Sequence, residues 1–219
     1  MMTLHRTAEI DRIWQECDDA MMRWTKDKSA KYPMITLTYA QSIDGCIAAK
    51  KGSPTILSGS ASKRMTHVLR TLHQGILIGI GTLISDNPSL TSQDLVSTSI
   101  VALQSRKKAL EQAGAVIIEC ESICTSEGAQ HVHLSRAFEL LHNYGFESIM
   151  VEGGAGIITS CLREQTIFSL VSLVIITIAP IFIGGVHSVN SILSSSNFPR
   201  LRYTQCIKMD EDMVLVAHF

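Results

Sequence analysis

Two adjacent glycines separate an apolar segment from a helical pattern in residues 148–160. Residues 148–152 have the composition of a buried strand, Gly153 and Gly154 form a turn, and Ile157, Ile158 and Cys161 recur at helical spacing. The first N–H groups of a helix have no intrahelical acceptor and lie at the positive end of its dipole, so this turn suits a phosphate group. The same pattern also describes a tight strand-to-helix connection that binds nothing.

Other polar residues follow predicted strands. Asp44 comes after a strand at residues 34–40, and Thr82 and Asp86 come after a strand at residues 75–80. Together with Glu152, these groups would meet at one edge of an open α/β sheet, where such folds bind ligands. Hydroxyl and carboxylate groups beside a phosphate site favour a phosphorylated cofactor held against a polar substrate, as in hydride transfer. Asp44-Gly45 is equally typical of an ordinary turn.

Arg70 lies on a predicted helix that begins at residues 58–62. Its guanidinium presents a fixed fork of donors that suits phosphate, although arginines on surface helices are more often only solvated. The sequence has no G-x-S-x-G elbow, Walker loop or H-E-x-x-H motif, and its eight histidines lack ligand spacing, so we expect no metal site. We expect His67 and His73 to be solvated.

Composition excludes several classes of protein. The 219 residues are 46% hydrophobic and only 18% charged, which favours one well-buried α/β core. A formal net charge of -1 gives no basic footprint for nucleic acid. The apolar run 167–183 contains polar residues and a proline, so it predicts a buried strand rather than a membrane span. Six scattered cysteines and a charged N-terminus favour a reduced, cytoplasmic protein.

The remaining patterns predict an α/β fold. Apolar residues at helical spacing from Thr7 predict an N-terminal helix, which with a charged connector makes up residues 1–33. Residues 34–219 form one domain with a mostly parallel sheet and a C-terminal antiparallel hairpin around Asp210-Glu211. Residues 120–130 lack periodicity and predict a surface loop. Further elements are expected at 100–103 (strand), 105–114 (helix), 115–119 (strand) and 135–144 (helix).

Five segments, in this order, resemble the riboflavin-biosynthesis reductases, especially the fungal and archaeal 2,5-diamino-6-(ribosylamino)-4(3H)-pyrimidinone 5′-phosphate reductases. The resemblance runs from about Met34 to the C-terminus, and the order of the motifs makes it more specific than any one of them. The segments are Leu37-Thr38-Tyr39-Ala40-Gln41-Ser42-Ile43-Asp44-Gly45, Met65-Thr66-His67-x-Leu69-Arg70, Gly75-Ile76-Leu77-Ile78-Gly79-x-Gly81-Thr82, Asp86-Asn87-Pro88 and Val151-Glu152-Gly153-Gly154-Ala155.

This resemblance implies a three-layer α/β/α fold of the dihydrofolate-reductase type, a homodimer and NADPH as hydride donor, which would reduce the ribosyl C1′ of the pyrimidine phosphate. Catalytic roles would fall to Asp44 and Glu152, and substrate contacts to Arg70, Leu90 and Glu152, with Arg70 a phosphate ligand. The implied cofactor contacts are Thr82, Asp86, Gly153, Gly154, Ala155, Gly156 and Ile157.

The chain departs from the family pattern in three places. Ser92-Gln93 stand where an arginine is usual, and Ser172 replaces an acidic residue. In addition, the family normally has a further strand and loop of roughly twenty to thirty residues after this point, which are missing between Gln93 and Ile100. Two alternatives therefore accompany the reductase: a catalytically silent relative that acts as a binding module, and another reductase on the same scaffold.

Overall fold

A computed structural model describes residues 7–53, 55–79, 94–97, 120, 122–124, 130–189 and 198–219, with only the backbone described at 94–97, 122–124 and 130–131. Four helices lie within these ranges: α1 Ala8–Lys26, α2 Ser60–Leu72, α3 Leu134–Asn143 and α4 Ala155–Phe168. The strands are β1 Met34–Ser42, β2 Cys46–Ala48, β3 Gly75–Gly79, β4 Asp94–Ser97, β5 Ser122–Cys124, β6 Gln130–Val132, β7 Ser148–Glu152, β8 Leu173–Ala179, β9 Val186–His187, β10 Arg202–Met209 and β11 Asp212–His218.

Seven strands form the main sheet in the order β10-β11-β8-β1-β7-β3-β4. The pairs β8-β1, β1-β7, β7-β3 and β3-β4 are parallel, whereas β11 is antiparallel to both β8 and β10. The predicted mostly parallel sheet with a C-terminal antiparallel hairpin is therefore confirmed. The apolar run at 167–183 supplies β8, an interior strand, and no helix of the described residues is long and apolar enough to cross a membrane.

Helices cover both faces of this sheet, because alternate strand residues point in opposite directions. Met34, Met150 and Ile175 pack with α1 and α2 on one face. Ile35, Ile149 and Val174 pack with α3 and α4 on the other. The result is the predicted three-layer α/β/α arrangement.

The N-terminal helix α1 is part of the first of these two cores. The Thr7 side chain caps its start by accepting a hydrogen bond from the Ile10 N–H at 3.5 Å, as the sequence predicts. Ile10, Ile13 and Cys17 form its buried stripe, which packs against α2 and the sheet. Each buried isoleucine side chain contributes about 1.5–3 kcal/mol of hydrophobic stabilisation.

Helix α2 is capped from a distant part of the chain. Gly59, at its N-cap position, has no side chain to accept the first N–H groups. Asp212, buried at the start of β11, accepts hydrogen bonds from the Gly59 N–H at 2.8 Å and from the Ser62 hydroxyl at 2.6 Å. Its negative charge also lies at the positive end of the helix dipole. The C-terminal hairpin thereby fixes where α2 begins.

Two sequence predictions need correction. Residues 120–130 are not only a loop, because the short antiparallel strands β5 and β6 lie at 122–124 and 130–132. A strand not predicted from the sequence, β4, pairs in parallel with β3. The edge strand on this side of the main sheet is therefore β4 and not β3. The elements predicted at 100–119 lie outside the described residues.

We predict that Asp212→Ala destabilises the fold by about 2–3 kcal/mol, because it removes a cap and leaves the buried Ser62 hydroxyl without its acceptor. Urea unfolding at neutral pH measures this loss. Glu211→Ala, an exposed neighbour in the same hairpin, is the matched control and should change the free energy of unfolding by less than about 0.5 kcal/mol. Equal effects of the two variants would contradict the capping role.

Candidate active site

The strands β1 and β7 end at different heights. Strand β1 pairs with β7 only from Met34 to Thr38, where Thr38 lies opposite Glu152, but it pairs with β8 as far as Ser42. Residues 39–42 therefore project about 13 Å beyond the end of β7, at about 3.3 Å per residue. Their backbone edge on the β7 side has no strand partner among the described residues. We call this edge the β1 ledge; it forms one wall of a crevice above Glu152.

The start of α4 faces this crevice from β7. A Cβ built on Gly153 would lie 3.3 Å from the Ile157 Cβ, and one on Gly79 would lie 3.0 Å from the Ile157 Cγ1. The two glycines therefore admit the first turn of α4 against the ends of β3 and β7. A Cβ on Gly156, by contrast, would have no atom of another element within 4 Å. The first turn of α4 contains no acidic residue, so no side chain of that turn offsets the positive end of the helix dipole.

Glu152 is held by Arg70 at the floor of the crevice. The Arg70 Nε donates to one carboxylate oxygen at 2.7 Å and Nη2 to the other at 2.6 Å, which is the bidentate geometry of strong charge-assisted pairs. The Glu152 side chain is 17% exposed and that of Arg70 34%. Because the fork is rigid, it fixes the plane of the carboxylate while the remaining lone pairs can still accept hydrogen bonds.

Beneath this ion pair lies a buried polar contact that the sequence did not predict. The His73 Nδ1 lies 2.8 Å from the Leu69 carbonyl oxygen, and Nε2 lies 2.8 Å from the Thr36 Oγ1. Since a carbonyl only accepts, Nδ1 carries the proton, and the neutral ring accepts from the Thr36 hydroxyl at Nε2. Burial lowers the pKa of His73, although the Leu69 carbonyl and the Glu152 charge act in the opposite direction. The prediction that His73 is solvated is wrong, whereas His67 is exposed as expected.

The predicted catalytic residue Asp44 is partly buried at the far end of the ledge, where protein donors hold its carboxylate. It accepts hydrogen bonds from the Ser42 hydroxyl at 2.5 Å, from the Gly184 N–H at 2.7 Å and from the Ile183 N–H at 3.1 Å. The Ser42 hydroxyl, followed by these backbone donors, holds the pKa of Asp44 well below its usual range. The side chain is therefore an ionised hydrogen-bond acceptor at neutral pH.

The structure thus brings together some of the predicted site residues. Glu152 and Arg70 are in direct contact, and α4 begins at Ala155, three residues after Glu152. Asp44 is at the other end of the ledge. The predicted contacts Thr82, Asp86 and Leu90 lie outside the described residues.

Sequence reasoning missed Ser42 and the half-buried Tyr39 on the ledge. Burial raises the pKa of the Tyr39 hydroxyl to about 12, so it remains a protonated donor. The hydroxyl of Ser42 two residues before a carboxylate was the available signal for its contact with Asp44.

The described residues contain no group of three or more histidine, cysteine, aspartate or glutamate side chains that could hold a metal ion. No disulfide joins the cysteines whose side chains the structure describes. The chemistry that this part of the chain offers therefore comes from an oriented carboxylate and a helix N-terminus above a parallel sheet. That combination, at the carboxyl edge of a three-layer α/β/α sheet, defines a ligand-binding α/β protein.

Comparison with known proteins specifies the family. Residues 33–215 match the family model of the RibD C-terminal domain. A relative from Eremothecium gossypii, named 2,5-diamino-6-ribosylamino-4(3H)-pyrimidinone 5′-phosphate reductase, is 32% identical over 195 residues, which cover 73% of this chain and 78% of the relative. The chain belongs to the RibD C-terminal domain family, as the sequence motifs predict.

Solved structures agree with this assignment. The riboflavin biosynthesis reductase Rib7 of Saccharomyces cerevisiae superposes with a TM-score of 0.64 at 27% identity, covering 93% of this chain and 97% of that one. RibD of Acinetobacter baumannii gives a TM-score of 0.69 at 19% identity, covering 88% and 59% of the two chains, and shows the shared fold. The predicted fold class is confirmed.

We predict that His73 makes stability depend on pH. Because its pKa is lowered in the folded state, the unfolded chain binds more protons below the ordinary value of 6.5. The stabilisation is therefore present above pH 6.5 and is lost as pH falls below it, by at most about 1.4 kcal/mol per pH unit. Urea unfolding at pH 7.5 and 5.5 should show a smaller loss in His73→Gln than in the native protein. The exposed His67→Gln is the control, and equal pH dependence in all three proteins would contradict the assignment.

Proposed function

We propose that this chain reduces the ribosyl group of 2,5-diamino-6-(ribosylamino)-4(3H)-pyrimidinone 5′-phosphate to the ribitylamino product, with NADPH as hydride donor, in riboflavin biosynthesis. The single observation that carries the proposal is the carboxylate of Glu152, fixed by Arg70 directly before the N-terminus of α4. The names of the relatives, and the share of their length that this chain covers, support the substrate.

The start of α4 fits the pyrophosphate of the cofactor. A Cβ on Gly156 would meet no described atom of another element within 4 Å, the first turn carries no negative side chain, and the helix dipole favours an anion there. The space beside Gly153 is taken up by Ile157, so we propose that the missing side chain admits α4, in addition to the predicted contact of Gly153 with the cofactor. We assign the pyrophosphate to the backbone N–H groups of Ala155 and Gly156, in the first turn of α4. Bound NADPH would supply the hydride, which needs no protein nucleophile.

The protein would then act by orientation and electrostatics. The Glu152 carboxylate can accept a hydrogen bond from the ribosyl or amino groups of the substrate, in an orientation that Arg70 fixes before the substrate binds. Arg70 donates to Glu152 through two guanidinium nitrogens, so we give it the role of orienting this carboxylate. This role adds to its predicted contact with the substrate phosphate. The carboxylate of Asp44 already accepts hydrogen bonds from three protein donors.

We also propose a cytoplasmic homodimer. Met213 is half exposed on β11, and Ile178 and Leu215 beside it on the same face are only partly buried. Such an apolar face on interior strands suits a second copy of the chain. Sedimentation equilibrium of the purified protein should give twice the monomer mass of 24.0 kDa.

The assay that tests the proposed reaction follows NADPH and NADH binding and oxidation, with and without the pyrimidine phosphate. We expect oxidation that requires this substrate, and faster oxidation with NADPH. Binding without turnover would indicate another reductase on the same scaffold. The absence of binding of either cofactor would favour the catalytically silent relative.

We predict that Gly156→Asp weakens NADPH binding roughly tenfold or more, since it adds a negative charge where the pyrophosphate would lie. The substitution should not damage the fold, because the site is open and an aspartate in the first turn of a helix is favourable. Fluorescence titration gives the dissociation constant. Gly156→Asn, of nearly equal size and without the charge, should have a much smaller effect. Equal losses in both variants would mean that bulk, and not charge, is excluded from this position.

A further inference from the structure

The end of α2 has a cap supplied by its own next residue. Helix α2 ends at Leu72, and His73, which follows, is extended, with φ -108° and ψ 143°. The His73 ring turns back toward the helix, and its Nδ1–H donates to the Leu69 carbonyl oxygen at 2.8 Å. The last four carbonyl groups of a helix lack intrahelical donors, so this contact satisfies one of them. The His73 ring is thereby held against the last turn of α2.

The other nitrogen of the same ring reaches the sheet. The His73 Nε2 accepts a hydrogen bond from the Thr36 hydroxyl of β1 at 2.8 Å. The Met34 Sδ lies 3.5 Å from the same hydroxyl oxygen, but a thioether is a weak acceptor, so the proton goes to the imidazole. His73 is 8% exposed and Thr36 0%. Because neither buried group can turn to water instead, their hydrogen bond holds the helix end at a fixed distance from β1.

Gln74 attaches the same end of α2 to β7. Its N–H donates to the Ser148 hydroxyl at 3.1 Å, and its side-chain oxygen accepts from the Glu147 N–H at 2.6 Å. Ser148 is the first residue of β7, and Glu152 is the last. The end of α2 is therefore joined to both β1 and β7, the strands on either side of the crevice wall.

The register places the contact between His73 and Thr36 next to the ion pair. Thr36 lies opposite Met150, which is two residues, or about 6.6 Å, before Glu152 on the same face of the sheet. On the helix, Arg70 precedes His73 by three residues, or about 4.5 Å, and lies on the same side. Two consecutive contacts thus join one helical turn to two successive rows of the sheet.

The ion pair alone would not fix the Arg70 guanidinium in one place. An arginine side chain has several rotatable bonds, so it could follow Glu152 through many positions of the helix. A short, buried contact at His73, one turn away, sets the height of the helix end over the sheet. The guanidinium then meets the carboxylate in one arrangement, and Arg70 is ordered by folding rather than by the binding of a ligand.

We propose that His73 is a positioning residue for the substrate site, which acts through Thr36 to hold Arg70 in bidentate contact with Glu152 before the pyrimidine phosphate binds. This inference rests on the proposed function, in which the Glu152 carboxylate accepts a hydrogen bond from the substrate. His73 itself contacts neither ligand and transfers no proton. The start of α4 follows β7 and packs through Ile157, so NADPH binding should not depend on His73.

The test uses two variants of Thr36. Thr36→Val keeps the branched shape of the side chain and removes the hydroxyl, whereas Thr36→Ser keeps the hydroxyl and removes a methyl group. In Thr36→Val, hydrogen exchange of the Arg70 Nε–H, followed by NMR, should accelerate about tenfold or more. The kcat/KM for the pyrimidine phosphate should fall about tenfold or more. The Kd for NADPH alone should stay within about twofold. Thr36→Ser should remain close to the native protein in all three measurements.

Thr71→Val is the matched control. The Thr71 hydroxyl lies in the same helical turn as Arg70, but it donates to the Val68 carbonyl oxygen at 2.7 Å, within α2, and the residue is exposed. The same substitution there removes a hydroxyl without changing the contact between α2 and the sheet. It should leave the Arg70 exchange, kcat/KM and the Kd for NADPH unchanged.

Four results would overturn the proposal. They are unchanged Arg70 exchange in Thr36→Val, faster exchange with native kcat/KM, equal losses in the valine and serine variants, and a parallel loss of NADPH affinity, which would indicate general loosening of the fold. If the native protein does not reduce the pyrimidine phosphate, the proposed function fails. The Arg70 exchange then decides by itself whether His73 positions the ion pair.

Discussion

The offset between the two neighbours of β1 is the constraint on which the candidate site depends. If β7 were as long as β8, its backbone would pair with residues 39–42 and close the crevice. Instead β7 ends at Glu152, and the chain turns through Gly153 and Gly154 into α4. Because β7 is short, residues 39–42 of β1 have no partner on that side among the described residues. The Glu152 carboxylate lies at the end of β7, and α4 begins directly after it. The remaining elements hold these three features in place.

Polar contacts fix the positions of elements that apolar packing alone would leave free to slide. Helix α2 meets the sheet through an apolar stripe, which constrains its height over the strands only loosely. Asp212 fixes its start, Arg70 joins it to Glu152, and His73 joins its end to Thr36. Apolar burial supplies most of the stability of this layer, while these contacts determine where the Arg70 fork stands relative to the carboxylate.

Much of the fold could be predicted from the sequence, because its patterns of apolar residues extend over many positions. The helical period from Thr7, the apolar run that became β8 and the hairpin around Asp210 are each long enough for the pattern to be unambiguous. The strands β2, β5, β6 and β9 have only two or three residues, too few to show a period. Strand β4, at Asp94–Ser97, was missed because Asp and Ser at its ends are typical of turns. The motif at residues 148–157 was correctly predicted to be a strand, a turn and a helix. The contacts of Asp212 with Gly59 and of Asp44 with Gly184 could not be predicted from sequence patterns, since only the tertiary structure brings these residues together.

The cap on α2 has a consequence for how the chain folds. Helix α2 is made early, but its N-terminal acceptor belongs to residue 212, close to the end of the sequence. During synthesis the first turn of this helix must therefore remain hydrated or frayed until almost the whole chain has been released. The same delay applies to β1, whose partners β7 and β8 come more than one hundred residues later. Such long-range closures are slow and leave apolar strands exposed in the meantime. Expression at lower temperature or with chaperones should therefore raise the yield of folded protein more than it changes the stability of the finished molecule.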